Sequence, residues 1–255
     1  MEKGSHQIQV NVMQVKDQLD PDLRKIIKKR KQVAMIPVGS IEQHGPHLPV
    51  STDSDIVSEI AKQVSQKCNF LLLPTISYGV SFEHAPLFNL SLKSSTLQKL
   101  LVDIASSLVS LKINTLFILN GHHGNQMALQ NTKRMIELAT KKKIKVFVFS
   151  YWLFMKTEFD HAGFVETSIM RVISNKVNMK KAKKGLITNQ LSKKELLRLS
   201  KRASKSFPSV TRNGVWGDPT RANVKDGKKL ISEIVRNLVK SSQTSITHTN
   251  RKLHQ

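Results

Sequence analysis

Short apolar runs alternate along the chain with longer segments whose apolar residues recur at three- and four-residue spacing. The apolar runs are rich in branched and aromatic residues, and they predict β-strands at 32–38, 70–74, 115–119 and 144–150. The segments between them predict α-helices at 54–67, 94–111 and 125–141. Strands that alternate with helices are typical of βα units, so the pattern favours an α/β protein with a mostly parallel sheet.

The last third of the chain is patterned less regularly. We expect a further helix to begin near Glu166, and an apolar stripe predicts a final helix over 226–240. Between them, the segment 176–210 is basic and has no clear period, so no element is predicted there.

The length of 255 residues fits one α/β domain. The sequence has no internal repeat and no linker, so we predict a single domain over residues 1–255 with its core at about 33–240. The polar ends, 1–20 and 241–255, are expected to be frayed.

The chain carries a strong positive charge, formally +23, with a pI near 10.2. Lysines and arginines crowd the segment 171–205, which has Glu195 as its single acid. Such a surface attracts nucleic acid, acidic lipid or phosphorylated small molecules. No aromatic residues are interleaved with these charges, so we expect no specific nucleic-acid binding. A non-catalytic protein that binds anionic ligands or nucleic acid is the alternative from another class.

The apolar segments are short. None approaches the roughly 20 residues that span a bilayer, and the polar N-terminus lacks the apolar stretch of a signal peptide. We therefore expect no membrane partner and a cytoplasmic location. Cys68 is the only cysteine, which rules out an internal disulfide, and its apolar neighbourhood favours a place in the core.

Candidate metal ligands follow the first predicted strand, in the stretch PVGSIEQHGPHLPVSTD that ends at Asp53. Glu42 and His44 are two residues apart, which lets both side chains face the same space in an extended segment. Asp53 stands just before the helix predicted at 54, where a carboxylate either caps the helix or binds a metal. Ligands bind at the carboxyl ends of strands in open α/β sheets, so a site is expected here.

Histidines and carboxylates recur at two more strand ends. The third predicted strand ends in NGHHGN, with His122 and His123, and the fourth is followed by HAGFVETS, with His161 and Glu166. Because parallel strands end at one edge of the sheet, we expect these groups to meet there. Imidazole and carboxylate ligands together suit Zn, Mn or Fe(II), and shared carboxylates are typical of two-ion centres that activate water. The sequence therefore predicts a hydrolase with two divalent metal ions.

These stretches, in this order, resemble the signature blocks of the creatininase (creatinine amidohydrolase) family. A later stretch, GVWGDPTRANVKDG from Gly214 to Gly227, is similar to the C-terminal block of that family. The resemblance implies a three-layer α/β/α sandwich, a homo-oligomer that is commonly a hexamer, and a binuclear metal centre that hydrolyses amide bonds. It implies metal ligands at Glu42, His44, Asp53 and His122.

The resemblance also implies individual roles. Glu42 and His122 would hold one ion and His44 the other, with Asp53 bridging them. Two residues are expected in catalysis: His161 as the acid/base group, and Glu166 either as a ligand of the second ion or as a group that orients a ligand. The candidates for the substrate pocket are His84, His123 and Trp152.

Two departures from the family pattern bear on the substrate. Gly124 stands where creatinine-hydrolysing members carry a glutamate ligand, and His123 replaces an aromatic substrate contact, which argues against creatinine. Relatives with glycine there include a deformylase of a formylaminopyrimidine ribosyl phosphate in flavin and deazaflavin synthesis, and a peptidase that trims a precursor peptide in redox-cofactor maturation. The positive charge suits a phosphorylated substrate and favours the deformylase. The alternatives are creatinine hydrolysis and precursor-peptide cleavage, and the expected substrate is a small-molecule amide or formamide.

Overall fold

A four-stranded parallel sheet forms the centre of the molecule. A computed structural model describes residues 13–29 and 32–251. The strands are β1 (Val33–Val38), β2 (Leu71–Leu72), β3 (Thr115–Asn120) and β4 (Lys145–Ser150). Their order across the sheet is β2-β1-β3-β4, and every pair is parallel. The parallel sheet expected from the βα pattern is confirmed.

Helices cover both faces of this sheet. They are α1 (Asp20–Lys29), α2 (Thr52–Cys68), α3 (Ser94–Ser110), α4 (Gln126–Ala139), α5 (Phe164–Ile173), α6 (Lys193–Ala203) and α7 (Val224–Arg251). Apolar residues of α2, α5 and α7 pack on one face, and those of α1, α3 and α4 pack on the other. The three-layer α/β/α sandwich is therefore confirmed.

The strands supply apolar residues to both layers, because successive side chains of a strand point to opposite faces. Met35 and Phe117 lie in the cluster under α2, α5 and α7, whereas Ala34, Ile36 and Ile118 lie in the cluster under α3 and α4. A strand that is covered on both faces has a continuous run of apolar residues, so β1 and β3 are easily recognised in the sequence.

The N-terminal part of the description differs from expectation. Residues 1–12 lie outside the described residues, and Gln14 bridges Leu72 on the outer edge of β2. The helix α1 follows directly and was not expected from the pattern. The strand expected at 70–74 is shorter and spans Leu71–Leu72, although the N–H of Leu73 still donates to the carbonyl of Met35.

The C-terminal part also differs. The last helix extends well beyond the expected 226–240 and includes residues 241–251, with Ser242 buried and Ile246 packed on the core. Residues 252–255 lie outside the described residues. The helix α6 falls in the basic segment to which no element was assigned. Its capping box of Ser192 and Glu195 was a readable start signal.

The strand order creates a switch point between β1 and β3. The chain leaves β1 through α2 on one face to reach β2, then returns through α3 on the other face to reach β3. Ligands of open α/β sheets bind in the crevice at such a point, beyond the carboxyl ends of the strands. None of the helices in the described ranges is both long and apolar enough to cross a membrane.

Candidate metal centre

The carboxyl end of β3 packs directly on the start of α2. A Cβ atom added at Gly121 would lie 2.6 Å from Cβ of Val57 and 2.8 Å from the carbonyl oxygen of Asp53, so only glycine allows this approach. The sequence pattern placed Asp53 just before this helix, but Asp53 lies in the first turn of α2. This packing brings the Asp53 carboxylate, which follows β1 in sequence, beside the side chain of His122, which follows β3.

The two oxygens of Asp53 face two different histidines. Oδ1 lies 3.1 Å from Nε2 of His44, and Oδ2 lies 3.0 Å from Nδ1 of His122. All three side chains are at least 95% buried. A carboxylate in this arrangement can share its oxygens between two positively charged centres.

Glu42 makes a second set of contacts on the other side of His122. Its Oε1 is 3.0 Å from Nε2 of His84, and its Oε2 is 3.2 Å from Nε2 of His122. The hydroxyl of Ser40 donates to Oε2 at 3.0 Å and fixes the rotation of the carboxylate. Glu42 itself is fully buried.

His161 and Glu166 complete the cluster from the region after β4. Oε2 of Glu166 accepts a hydrogen bond from the backbone N–H of Ala162 at 2.7 Å and lies 3.6 Å from Nε2 of His44. The side-chain amide nitrogen of Gln43 lies 3.0 Å from a ring nitrogen of both His161 and His84. Gln43 therefore holds these two rings in fixed orientations.

The arrangement fits divalent cations. Two ligands of one tetrahedral ion, each about 2.1 Å from it, lie about 3.4 Å apart. The contacts of His44 with Asp53 and Glu166, and those of Glu42 with His84 and His122, span 3.0–3.6 Å. Within the described part of the chain, three sets of side chains bring ligand atoms within 4.8 Å of one another. These sets are Glu42–His44–Asp53, Glu42–His84–His161 and His44–His161–Glu166.

Buried oxygens without donors strengthen this fit. In the described region, Oε1 of Glu42, Oδ2 of Asp53 and Oε1 of Glu166 are buried and accept no hydrogen bond of good geometry, although the first two each lie 3.0 Å from a histidine ring nitrogen. A buried carboxylate oxygen without a partner costs several kcal/mol unless a cation neutralises it. The three oxygens belong to three different carboxylates of one cluster, so the cluster has acceptor positions that a cation would fill.

Charge coupling inside the cluster is strong. Burial lowers the pKa of His44, but the carboxylates of Asp53, Glu166 and Glu42 outweigh burial and raise it to about 10. Burial likewise opposes the protonated form of His122, whereas Glu42 and Asp53 raise its pKa to about 10. Burial raises the pKa of Asp53, yet the two histidines hold it well below its usual range. The carboxylates therefore attract cations at these positions.

The other two groups shift in the opposite sense. Burial raises the pKa of Glu166 to about 8, helped by the neighbouring charges of Asp53 and Asp160 and opposed by His44. Burial, with the nearby His44 and His84, lowers the pKa of His161 well below 6.5. The imidazole of His161 is therefore neutral at pH 7.

The structure brings most of the sequence-derived candidates together and separates two of them. Seven side chains form one cluster: Glu42, His44, Asp53, His84, His122, His161 and Glu166. His84, expected in the pocket wall, lies at ligand distance inside the cluster. His123 is exposed, and the buried Trp152 has its ring 6.0 Å from His123 and stacked on Phe159. Their assignment to the pocket stays a prediction.

Sequence reasoning missed three residues of the site. Gln43 and Glu83 each adjoin a histidine of the cluster, so their sequence position was a usable signal. Phe207 had none, because it lies in the unpatterned basic segment 176–210. Its ring is 4.7 Å from the rings of both His84 and His161, and Phe207 is itself buried.

An α/β sandwich with a buried imidazole–carboxylate centre at its switch point defines a class of metal-binding proteins to which many hydrolases belong. The family model of creatininase, described as creatinine amidohydrolase, matches residues 17–241. The chain belongs to the creatininase family, whose members are hydrolases that act on amide C–N bonds.

Individual relatives differ in their named activities. The mycofactocin precursor peptide peptidase of Mycobacterium ulcerans is 30% identical over 223 residues, covering 80% of this chain and 82% of the relative. The creatinine amidohydrolase of Pseudomonas putida is 29% identical over 164 residues, covering 54% of this chain and 63% of the relative. The family membership therefore does not decide the substrate.

Solved creatininases share the fold. A mutant creatininase of "Zn-Zn type" has a TM-score of 0.77 at 20% identity and covers 91% of this chain and 98% of its own. A structure titled "Creatininase Mn" has a TM-score of 0.74 at 21% identity, with the same coverage.

Proposed function

We propose that this protein is a binuclear metal amidohydrolase in which Glu42, His44, Asp53 and His122 hold two divalent ions. The observation that supports two ions is the position of Asp53, whose oxygens face His44 and His122 separately at 3.1 and 3.0 Å. The buried oxygens of Glu42 and Asp53 that accept no hydrogen bond are the groups that such ions would neutralise. Zn, Mn and Fe(II) all suit this mixed ligand set.

Divalent ions at these positions would supply an activated water and polarise a substrate carbonyl. The protein contributes fixed geometry around them. Glu42 and His122 serve one ion and His44 the other, while Asp53 spans both. Glu166, 3.6 Å from His44 and held by the N–H of Ala162, serves the His44 side as a ligand or as a group that orients one.

His161 is the group for proton transfer. Its side chain is 13% exposed, more than those of His44, His84 and His122, so it lies at the open side of the cluster. A neutral imidazole there can take the proton that water loses as its oxygen attacks the amide carbon. The same proton can then pass to the nitrogen as the C–N bond breaks. His161 thus links formation of the new C–O bond to departure of the amine.

The substrate we propose first is a peptide-type amide. A relative that is 30% identical over most of both chains is a precursor peptide peptidase, which supports this choice. Gly124 and His123 argue against creatinine, because creatinine-hydrolysing members carry a glutamate ligand and an aromatic contact at these positions. A small formamide with a phosphate is the second candidate, supported by the formal charge of +23.

We also propose a homo-oligomer, with the hexamer as the expected form, a single domain and a cytoplasmic location. These proposals rest on the resemblance and on the sequence pattern. Light scattering of the purified protein measures the oligomeric state directly. A monomer would contradict the proposed homo-oligomer.

The decisive experiment joins metal analysis to a substrate screen. The purified protein is assayed for Zn, Mn and Fe by mass spectrometry. It is then loaded with each ion and incubated with short precursor-type peptides, a formylaminopyrimidine ribosyl phosphate and creatinine. We expect two ions per chain and hydrolysis of one of the first two substrates. Protein that binds no transition metal and hydrolyses no amide after loading contradicts the proposal.

A further inference from the structure

The turn after β3 has no room for a side chain at Gly124, and the space beside it belongs to Glu83. A Cβ added at Gly124 would lie 2.5 Å from Nε2 of His122 and 2.5 Å from Oε1 of Glu83, and it would overlap the carbonyl oxygen of Val80. The position next to His122 is therefore filled by a carboxylate from another segment.

The segment that carries Glu83 is tied to the ends of β1 and β3. The side chain of Asn125 accepts from the N–H of Val80 at 2.8 Å and donates to the carbonyl of Gly39 at 2.9 Å. Nε2 of His122, the nitrogen that Glu42 and Glu83 face, also lies 2.9 Å from the carbonyl oxygen of Val80. These contacts hold the backbone before Glu83 against the metal centre.

Glu83 lacks an ordinary counter-ion. Oε1 of Glu83 lies 3.7 Å from Nε2 of His122, and its side chain is 16% exposed. Among the described residues, no lysine or arginine lies within 4.0 Å of this carboxylate, and its ion-pair partner is His122. A mostly buried carboxylate usually has a cationic partner. An ion bound on the His122 side of the cluster would therefore stabilise the ionised carboxylate of Glu83.

We propose that Glu83 is a further carboxylate ligand of the metal centre and binds the ion on the His122 side. The inference rests on the proposed function, since it needs ions at Glu42, His44, Asp53 and His122. Oε2 of Glu42 and Oε1 of Glu83 lie 3.2 and 3.7 Å from the same nitrogen of His122, which brackets the separation of about 3.4 Å for ligands of one ion.

The experiment compares metal binding by the wild type, Glu83→Gln and Glu59→Gln. Glu59→Gln is the matched control, because Glu59 lies on α2 and bonds Gln63 away from the cluster. Equilibrium dialysis with Zn and Mn gives the number of ions and their affinities, and Co(II) absorption reports the ligand set. We expect Glu83→Gln to lose one ion, or to bind it at least about tenfold more weakly, as loss of a partner close to a metal typically does. Its Co(II) spectrum should also change.

The outcomes separate the two proposals. If the wild type binds two ions and Glu83→Gln binds two with unchanged affinity and Co(II) spectrum, the role of Glu83 is wrong and the binuclear centre stands. If the wild type binds none, both proposals are wrong. Thermal unfolding of the metal-free proteins checks that Glu83→Gln folds. Should it not fold, Glu83→Asp, which keeps the charge one methylene shorter, replaces it, and unchanged metal affinity and Co(II) spectrum in that variant would count against the ligand role.

Discussion

Asp53 and His122 lie 3.0 Å apart, from Oδ2 to Nδ1, and join the first turn of α2 to the end of β3. The contact exists because Gly121 lets the end of β3 approach α2 closely. The contact places the Asp53 carboxylate at the switch point of the sheet. Neither β1 nor β3 carries a carboxylate of its own.

Replacing Asp53 by Asn should remove bound metal and activity together. The amide keeps the shape but loses the charge that both sides of the centre share. Mutation of groups that only support a ligand already costs about 10–100-fold, so we expect a larger loss here. Asp55→Asn is the control, since Asp55 lies in the same helical turn and accepts from Ser51 instead. Metal content and kcat/KM are measured for both, and an active Asp53→Asn with full metal content would contradict the bridging role.

Chelation of the metal should lower the melting temperature. The buried oxygens of Glu42, Asp53 and Glu166 would then have no cation. Ions at one hundred times their Kd stabilise a folded protein by about 2.7 kcal/mol. That corresponds to a shift of roughly 5–11 °C for a chain of this size. Calorimetry with EDTA, and again after Zn or Mn is restored, measures the shift, and equal melting temperatures would exclude bound ions.

Phe207→Ala should impair turnover while leaving metal binding intact. The Phe207 ring covers those of His84 and His161, so its removal admits water to the site. We expect kcat/KM to fall about tenfold, which equals about 1.4 kcal/mol of transition-state stabilisation. Phe207→Leu keeps an apolar cover and should lose less. An unchanged kcat/KM in Phe207→Ala would show that the cover has no part in catalysis.

Cys68 should be unreactive in the folded protein. Burial raises the pKa of its thiol to about 11, and the side chain packs against the core under α2. Since only the thiolate is alkylated, iodoacetamide at pH 8 should label the native protein far more slowly than the urea-unfolded protein. Labelling should accelerate as the pH rises toward 11. Mass spectrometry follows the reaction, and equal rates in both states would contradict burial of the thiol.

The sequence by itself determined the layers and the first candidate ligands. The apolar runs of β1 and β3 are evident because both faces of these strands are covered. Glu42, His44 and His122 follow strand ends, and parallel strands end at one edge, so their meeting could be foreseen. The family blocks added Asp53 and His161 to the same place.

Only the tertiary structure decided the rest. Glu83 reaches His122 through a loop whose path depends on Asn125, and Phe207 reaches His161 from a segment without apolar period. Glu83 stands beside His84 in the sequence, but neither its contact with His122 nor the position of Phe207 could be read from the pattern, because loop paths are set by long-range contacts and not by local propensity. The absence of a side chain at Gly124 could not be interpreted from the sequence either, because only the structure shows that the carboxylate of Glu83 lies beside it.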